Sequence, residues 1–486
     1  MDALDAAALT QKLYARLNTR RPEIEKAEKY LSGKQPLTFA TEEWKKQNAS
    51  RYDGFADNWC APVVNAMSER ISIAGITDFG TKSRAKSYWD DLRRNQFELG
   101  FSQATVTTLA ARRSYVIVWG DADGQPVVSF EHPSMVEIQY DWENPDRRTA
   151  AIKSWMDETH EYATLYTPSE VFKWERERTT TKPAQKSQVE LMAPASAASD
   201  GGWVPRKSAG DDWVIPNPMG VVPVVEWSNR RPLLGDPISE IQGVIPMQDF
   251  INLLWAYLML SADYASMDAR VILGADPPKT PILDEDGKVV GERPVDMKDL
   301  REKRLINITG EDAKIDSWKA AALDVFTSAI ENAVGHIAAQ TRTPPHYLIA
   351  NKGMSQLSGD AVKALEAGLV SKVRDFARYA DASLREVLRL MAIVKGDAKA
   401  AGAALLAQFH WDKVEIRSDA QMADALLKKS QIGYPFEYLL EEEGKSPSQI
   451  KRILEMREAE LYDPQLAAAL RPVGGLNDPE GIVPAV

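Results

Sequence analysis

The chain has 486 residues, 44% of them hydrophobic and 27% charged, enough to bury a large core and to divide into several domains of ordinary soluble composition. Its 59 Lys and Arg against 70 Asp and Glu leave a net charge of −11, which argues against a protein that coats nucleic acid by neutralising phosphates. A mostly acidic wall past which DNA slides without being gripped stays open.

One cysteine, Cys60, rules out an intrachain disulfide framework and fits assembly in a reducing cytosol. No run reaches the roughly 18 apolar residues that span a membrane. The longest candidate, Leu253 to Leu260, is far too short. The opening Met1-Asp2-Ala3-Leu4-Asp5 lacks the basic-then-apolar pattern of a signal peptide, so none is expected.

Residues 1 to about 112 read as mainly helical. Leu9, Leu13 and Leu17 share one face, and a second helix is expected from Pro22 to Leu31, stopping at Gly33. Further helices are expected over Trp59–Ile71, Ser87–Asn95 and Phe97–Arg112. Tyr115–Trp119 and Val127–Phe130 are strands joined by the turn-rich Gly120-Asp121-Ala122-Asp123-Gly124. Ala151–Met156 and Tyr162–Tyr166 form a second hairpin, with a short strand at Val171–Glu175. Thr179–Gly210 reads as a long exposed loop, before β character returns at Trp213–Ile215 and Val221–Trp227.

Asp236-Pro237 predicts a helix start, with a cap and a first-turn proline, and Pro246 a kink or restart. Phe250, Leu254, Tyr257 and Leu258 follow on one side. Val271–Ser317 is a small α+β insertion, with a turn at Asp284-Glu285-Asp286-Gly287 and strands around Val289 and over Leu305–Ile308. Leu323, Phe326, Ile330, Ala333 and Ile337 form one apolar helical stripe. Pro344 and Pro345 stop that helix. The polar segment Asn351-Lys352-Gly353-Met354-Ser355-Gln356-Leu357 separates it from a much longer one over Asp360–Val394. Ser358 is placed to cap this second helix. It carries a stripe of Leu365, Leu369, Val373, Phe376, Ala380, Leu384, Leu388 and Met391. Lys363, Glu366, Lys372, Arg374, Arg378, Asp381 and Glu386 are assigned to the opposite face. Its length, about 50 Å at 1.5 Å per residue, exceeds the usual span of a compact domain. Ala398–Ala407 is alanine-rich, Phe409–Ile416 a strand, and Ala420–Glu460 two or three shorter helices; Pro472–Val486 reads as disordered.

The search for chemistry is negative. There is no Gly-x-x-x-x-Gly-Lys-Ser/Thr, no Gly-x-Gly-x-x-Gly after a strand and no Gly-x-Ser-x-Gly. The five histidines are dispersed, so no metal, cofactor or catalytic residue is assigned. Asp284-Glu285-Asp286-Gly287 lacks the ligand spacing of a calcium loop. Lys298, Arg301, Lys303 and Arg304 sit together. They read either as a contact for DNA or an acidic partner, or as a solvated face interleaved with Asp296, Asp299 and Glu302. Lys352 is the only charge in the polar segment.

The order of parts resembles the portal proteins of long-tailed bacteriophages, the group common in phages of actinobacteria. The resemblance is carried by Tyr30–Leu37, Ala56–Cys60, Val64–Ile71, Gly220–Val225, and most specifically Ile337–Leu348 with Ser358–Ala364 and Glu366–Val373. It implies an α+β, mainly helical, multi-domain subunit of a ring, typically a dodecamer. Residues 1–235 would be the wing, 236–270 the first stem helix, 271–319 the clip and 320–345 the second stem helix. Residues 346–358 would be the tunnel loop, 359–417 the spanning helix and the return to the wing, and 418–486 the crown and C-terminal tail. Asn351, Lys352, Ser355 and Gln356 would face DNA. Implied partners are double-stranded DNA, the terminase large subunit, a head–tail adaptor, and the major capsid and scaffold proteins. The implied place is a capsid vertex of the virion, reached through the host cytoplasm, with no enzymatic activity of its own. A minor capsid protein or tail connector is the alternative.

Overall fold

The computed structural model describes residues 1–36, 56–178, 202–206, 212–266, 270–273, 279–284, 286–294, 314–317, 322–349, 359–412, 414, 419–445 and 447–462. They fall into two compact units. The first comprises 1–35, 58–245 and 337–486; the second comprises 36–57 and 246–336. The architecture is α+β and mainly helical.

The first unit begins with α1 (Ala3–Leu31), whose N-terminus is capped by the Asp2 carboxylate accepting from Asp5 N at 2.7 Å. Two separate helices were expected here, with Pro22 opening the second; the helix instead runs through Pro22. The lost backbone bond is offset by side-chain anchors just before it. Arg20 donates to Val136 O (2.8 Å) and pairs with Glu137 (2.6 Å), while Arg21 donates to Ser134 O (2.8 Å).

Next come α2 (Cys60–Ser68), β1 (Ile73–Asp78), α3 (Lys82–Arg94) and α4 (Phe97–Ala111). Cys60 is fully buried. Helix α3 starts earlier than its apolar pattern indicates because Thr81 caps it, its hydroxyl accepting from Arg84 N. Strands β2 (Arg113–Gly120) and β3 (Pro126–Glu131) form the expected hairpin, with Gly124 at φ +71° in the turn. Then follow β4 (Val136–Tyr140), β5 (Arg148–Met156), β6 (His160–Tyr166), β7 (Glu170–Glu177), β8 (Val204–Pro205), β9 (Val214–Pro216) and β10 (Val224–Ser228).

Strands β4 to β8 pair in sequence order, and β9 also pairs with β7. A second sheet has the order β10-β2-β3. The period-2 alternation of β5 divides its side chains between two cores. Ala150 and Ile152 join Leu13 and Tyr14 of α1 with Phe172 and Trp174. Ala151 joins Tyr115, Ile117 and Val224 of the other sheet. Trp203, within the stretch expected to be an exposed loop, is buried in the first of these cores, its indole donating to Gln11 at 3.1 Å. An aromatic bulk of this size finds more stabilisation under α1 than in water. Most of that stretch, 179–201 and 207–211, lies outside the described residues.

No helix starts at Asp236-Pro237. Asp236 pairs instead with Arg113 and, at 3.7 Å, with Arg112, and the chain runs on without regular structure into a turn, with Glu240 N on Leu109 O at 2.9 Å. The helix begins at α5 (Ile245–Ser266), with Pro246 in its first turn.

The second unit contains most of α5, then β11 (Arg270–Leu273), β12 (Lys279–Leu283), β13 (Val289–Pro294), β14 (Lys314–Ser317) and most of α6 (Leu323–Thr341). Strand β11 pairs with β14, and β12 with β13. The Asp284–Gly287 segment is a turn: the Asp284 carboxylate accepts from Asp286 N and Lys288 N, and Gly287 has φ +79°. Near the start of α5, Asn252 and Trp255 side chains bond Asp57 at 3.1 and 2.7 Å. Residues 305–308 lie outside the described residues.

The first unit resumes with α7 (Pro345–Leu348), α8 (Gly359–Val394), α9 (Ala398–Ala404), β15 (Gln408–Trp411), α10 (Asp419–Gln431), α11 (Phe436–Glu443) and α12 (Pro447–Tyr462). Strand β15 pairs antiparallel with β1, Ile73 opposite Trp411. The stripe of α8 from Leu369 to Met391 is buried, whereas Leu365 is 43% exposed. Its charged residues divide: Lys363, Arg374 and Arg378 are exposed as the opposite-face assignment expects, but others are not. Glu366 and Lys372 are buried, and Glu386 is engaged by Arg148 and Arg389. An aromatic cluster ties α4, β3, β10 and β15 together: Phe101–Trp227 centroids lie 5.3 Å apart, Phe97–Phe130 5.4 Å and Phe101–Trp411 6.1 Å.

Candidate functional site: the anchored ends of the 350–358 segment

Asn351, Lys352, Ser355 and Gln356, and the cluster Lys298, Arg301, Lys303 and Arg304, all lie outside the described residues, as does the expected cap Ser358. The described structure supplies the two ends that hold the 350–358 segment: the α6–α7 junction on one side and the first turns of α8 on the other.

Helix α6 ends in a left-handed turn. Arg342 has φ +55°, Thr343 N bonds Ala338 O at 3.0 Å, and Arg342 N bonds Ala339 O at 3.4 Å. This is the Schellman arrangement, with arginine where glycine is usual. The Thr341 hydroxyl donates to Ile337 O at 2.8 Å and lies 2.8 Å from that of Thr343. Pro344 and Pro345 then redirect the chain into α7. Gly368 on α8 lies beneath the Arg342 side chain: a Cβ there would stand 3.4 Å from Arg342 Cβ. A Cβ at that position would thus be in van der Waals contact with the Arg342 side chain.

Two polar clusters fix this junction. In the first, Tyr347 of α7 donates to Glu366 of α8 at 2.8 Å. Arg70 pairs with the same carboxylate at 3.2 Å, bonds the Tyr347 hydroxyl, and donates to Val414 O at 2.9 Å. His346 Nε2 lies 3.7 Å from Glu366. Burial, reinforced by the hydrogen bond to Glu366, raises the pKa of Tyr347. In the second cluster, Lys372 pairs with Glu240 and donates to Thr341 O at 2.6 Å. Glu240 also receives the Asn229 amide at 2.9 Å and the Arg230 guanidinium. Burial pushes the Glu240 carboxyl up, but the adjoining Lys372 and Arg230 charges hold it below the ordinary value. Lys372 thus satisfies a helix-end carbonyl of α6 and a buried carboxylate at once.

Arg230 and Glu240 were not singled out from sequence, and Arg70 and Tyr347 only as members of the segments Val64–Ile71 and Ile337–Leu348, with no role assigned. Glu366 and Lys372 did leave a signal. They stand three residues before and three after Leu369, on the apolar side of α8 rather than opposite it. Among the described residues no group of three His, Cys, Asp or Glu could hold a metal ion. No helix of the described residues is long and apolar enough to cross a membrane. The arrangement is a clamp: buried polar bonds fix the described residues on either side of the 350–358 segment.

The model of the family described as "Phage portal protein, SPP1 Gp6-like" matches residues 10–461. The portal protein of Mycobacterium phage L5 is 23% identical over 329 residues, 64% of this chain and 59% of its own length. That of Mycobacterium phage D29 is 24% identical over 346 residues, 67% of this chain and 62% of its own. The chain therefore spans about three fifths of the length of these curated relatives. The neck of a native GTA particle computed with C12 symmetry aligns with 86% of this chain and 94% of its own, at 11% identity and a TM-score of 0.43, too low to bear on the fold. A family match over residues 10–461 places this chain in the phage portal protein family.

Proposed function

We propose that this chain is the repeating subunit of a ring, of about twelve copies, at one vertex of a phage capsid, and that genomic DNA is packaged and ejected through the ring's axial channel. The match to the portal family over residues 10–461 carries the reading. The anchoring of the 350–358 segment supports it. A polar stretch held at both ends by buried ion pairs, at the foot of the 36-residue α8, is what a loop lining a channel needs. In this reading 346–358 is the tunnel loop, and Asn351, Lys352, Ser355 and Gln356 face the DNA. Residues 1–235 form the wing, 236–270 and 320–345 the stem, 359–417 the spanning helix and return to the wing, and 418–486 the crown and tail.

The clip, 271–319, docks the terminase large subunit during packaging and the head–tail adaptor afterwards. Lys298, Arg301, Lys303 and Arg304 are its candidate contacts for a partner or DNA. Major capsid and scaffold proteins surround the ring, which assembles in the host cytoplasm. The subunit's work is passive, and the nucleotide hydrolysis that drives packaging belongs to the terminase.

The test is the mass of the purified chain together with negative-stain images. Twelve copies of 54.0 kDa give about 650 kDa with a central hole. A stable dimer or tetramer without a channel would overturn the reading. Deleting Asn351 to Leu357 is then expected to leave the ring intact while DNA packaging or retention fails; normal packaging by that deletion would remove the tunnel-loop assignment.

A further inference from the structure

The loop between β10 and α5 presents two leucines to water: Leu233 is 104% exposed and Leu234 91%. The loop is held from several sides. Ile238 N bonds Asn229 O at 3.0 Å, and the fully buried Asn229 returns its amide to Ile238 O at 2.9 Å. The Tyr379 hydroxyl of α8 donates to Arg231 O at 3.0 Å, and Arg230 is pinned on Glu240. Adjacent to the leucines, the exposed Arg231 has no carboxylate at ion-pair distance among the described residues. Its guanidinium rests over the Tyr140 ring at 5.9 Å. A fixed loop that holds two leucines and a cation in solvent is a preorganised apolar knob with a basic flank.

A groove of about 430 Å³ on the same unit has the complementary character. Its apolar walls include Val373 and Ala377 of α8, Ile71 and Trp411. Asp381 and Asp412 also line it. Asp381 accepts from Trp411 Nε1 at 2.8 Å and Asp412 from the Ser72 hydroxyl at 2.6 Å. Neither has a cation at ion-pair distance among the described residues. The groove's basic residues are differently placed: Arg70 is engaged by Glu366 at 3.2 Å and Arg378 by Asp375 at 2.6 Å, and Arg374 has contacts of its own. Around α8, at about 100° per residue, residues 373, 377 and 381 face roughly half a turn away from Tyr379 and Ala382, beside which the leucine loop sits. Knob and groove are therefore on different flanks of one subunit. That is the geometry of a head-to-tail contact, in which the same two surfaces repeat from copy to copy.

We propose that the Leu233–Leu234 knob of one subunit docks in the Val373–Ala377–Trp411 groove of a second copy of this chain, with Arg231 facing Asp381 and Asp412. The proposal rests on the ring reading and names its contact. The loop reaches Glu240 through Arg230, and Glu240 reaches Thr341 O through Lys372. The contact with a neighbour is thus joined by continuous polar bonds to the foot of the 350–358 segment.

The full chain carrying Leu234→Cys and Ala377→Cys is to be oxidised and run under non-reducing conditions, beside each single variant and the wild type; Cys60 is buried and serves as an internal control. A ladder of covalent oligomers from the double variant alone is expected. Leu233→Asp with Leu234→Asp, which touches no buried position, is expected to reduce assembly at least tenfold with an unchanged melting curve. Arg231→Glu is expected to weaken assembly and Asp381→Arg to restore it in combination. A wild-type ring, seen by mass and imaging, in which the cysteine pair gives no ladder and the aspartates have no effect overturns the docking proposal and leaves the ring reading standing. A ladder without any closed ring keeps the contact and overturns the ring. A wild-type chain that stays monomeric, together with no ladder from the double variant, overturns both.

Discussion

Lys372 is 3% exposed and Glu240 6%, and each would be costly to bury alone. Together they hold the end of α6 against α8. Lys372→Met keeps the stem volume but leaves Glu240 with Arg230 and Asn229 only, and Thr341 O without its donor. A loss of about 3 kcal/mol in unfolding free energy is expected, the range for breaking one side of a buried pair. Chemical denaturation of the two proteins checks it, and a loss under 1 kcal/mol would show that Glu240 relaxes onto Arg230 alone. The same pair sets an acid response. Because Glu240 is held below its ordinary value in the fold, its contribution is fully present above the carboxylate's unfolded pKa and is lost as pH falls through the depressed folded value. Protonation then leaves Lys372 and Arg230 buried without a counter-charge. Melting temperature from pH 6 to pH 3 is expected to fall more steeply for the wild type than for Glu240→Gln, which is less stable at pH 6 and flatter. Parallel curves would assign the acid sensitivity to other carboxylates.

At the scale of elements, close approaches decide more than propensities do. Gly100 lies in α4 against the Phe130 ring, and a Cβ there would stand 2.5 Å from Phe130 Cδ2. That ring is hemmed in by Phe97 at 5.4 Å and Trp227 at 6.1 Å. Gly100→Ala is expected to destabilise by about 1–3 kcal/mol through overpacking, although alanine is the better helix former by about 1 kcal/mol. A rise in melting temperature would show that Phe130 has room to swing away. At the end of α6 the backbone of Arg342 is left-handed, so Arg342→Gly is expected to be more stable than Arg342→Ala by about 1 kcal/mol, read by thermal melts of the two variants. Most elements were legible because their apolar period is local: the β2–β3 and β5–β6 hairpins and the stripe of α8 follow from spacing alone. Three of the errors share one cause, a distant partner overriding a local signal. Pro22 does not break α1 because Arg20 and Arg21 are bound to residues 134–137. Asp236 does not cap a helix because Arg113 takes its carboxylate. Strand β1 escaped notice because the strand it pairs with, β15, lies more than 300 residues onward.

Seen whole, the molecule keeps its candidate site and its insertion apart from the parts most readable in sequence. The polar 350–358 segment was legible as a break between two helical periods, but the clamp at its ends was not. That clamp joins Arg70, Glu240, Tyr347 and the α8 pair Glu366 and Lys372 from four separate stretches, and no local spacing encodes such a meeting. The insertion between α5 and α6 is a different case. Its outer strands β11 and β14 pair antiparallel, with Arg270 opposite Ser317. The chain therefore leaves and returns at neighbouring points, about 5 Å apart across a ladder. The two cores on either side of β5 are built from side chains of the first unit. Replacing residues 271–316 by a short Gly-Ser linker therefore closes a gap that is already narrow, at little entropic cost. The shortened chain is expected to keep the near-UV circular dichroism of its tryptophan-rich core and its main melting transition. Loss of that transition would mean that the insertion stabilises the first unit and that the two do not fold independently. Retention would supply a protein in which the first unit can be studied without the inserted strands.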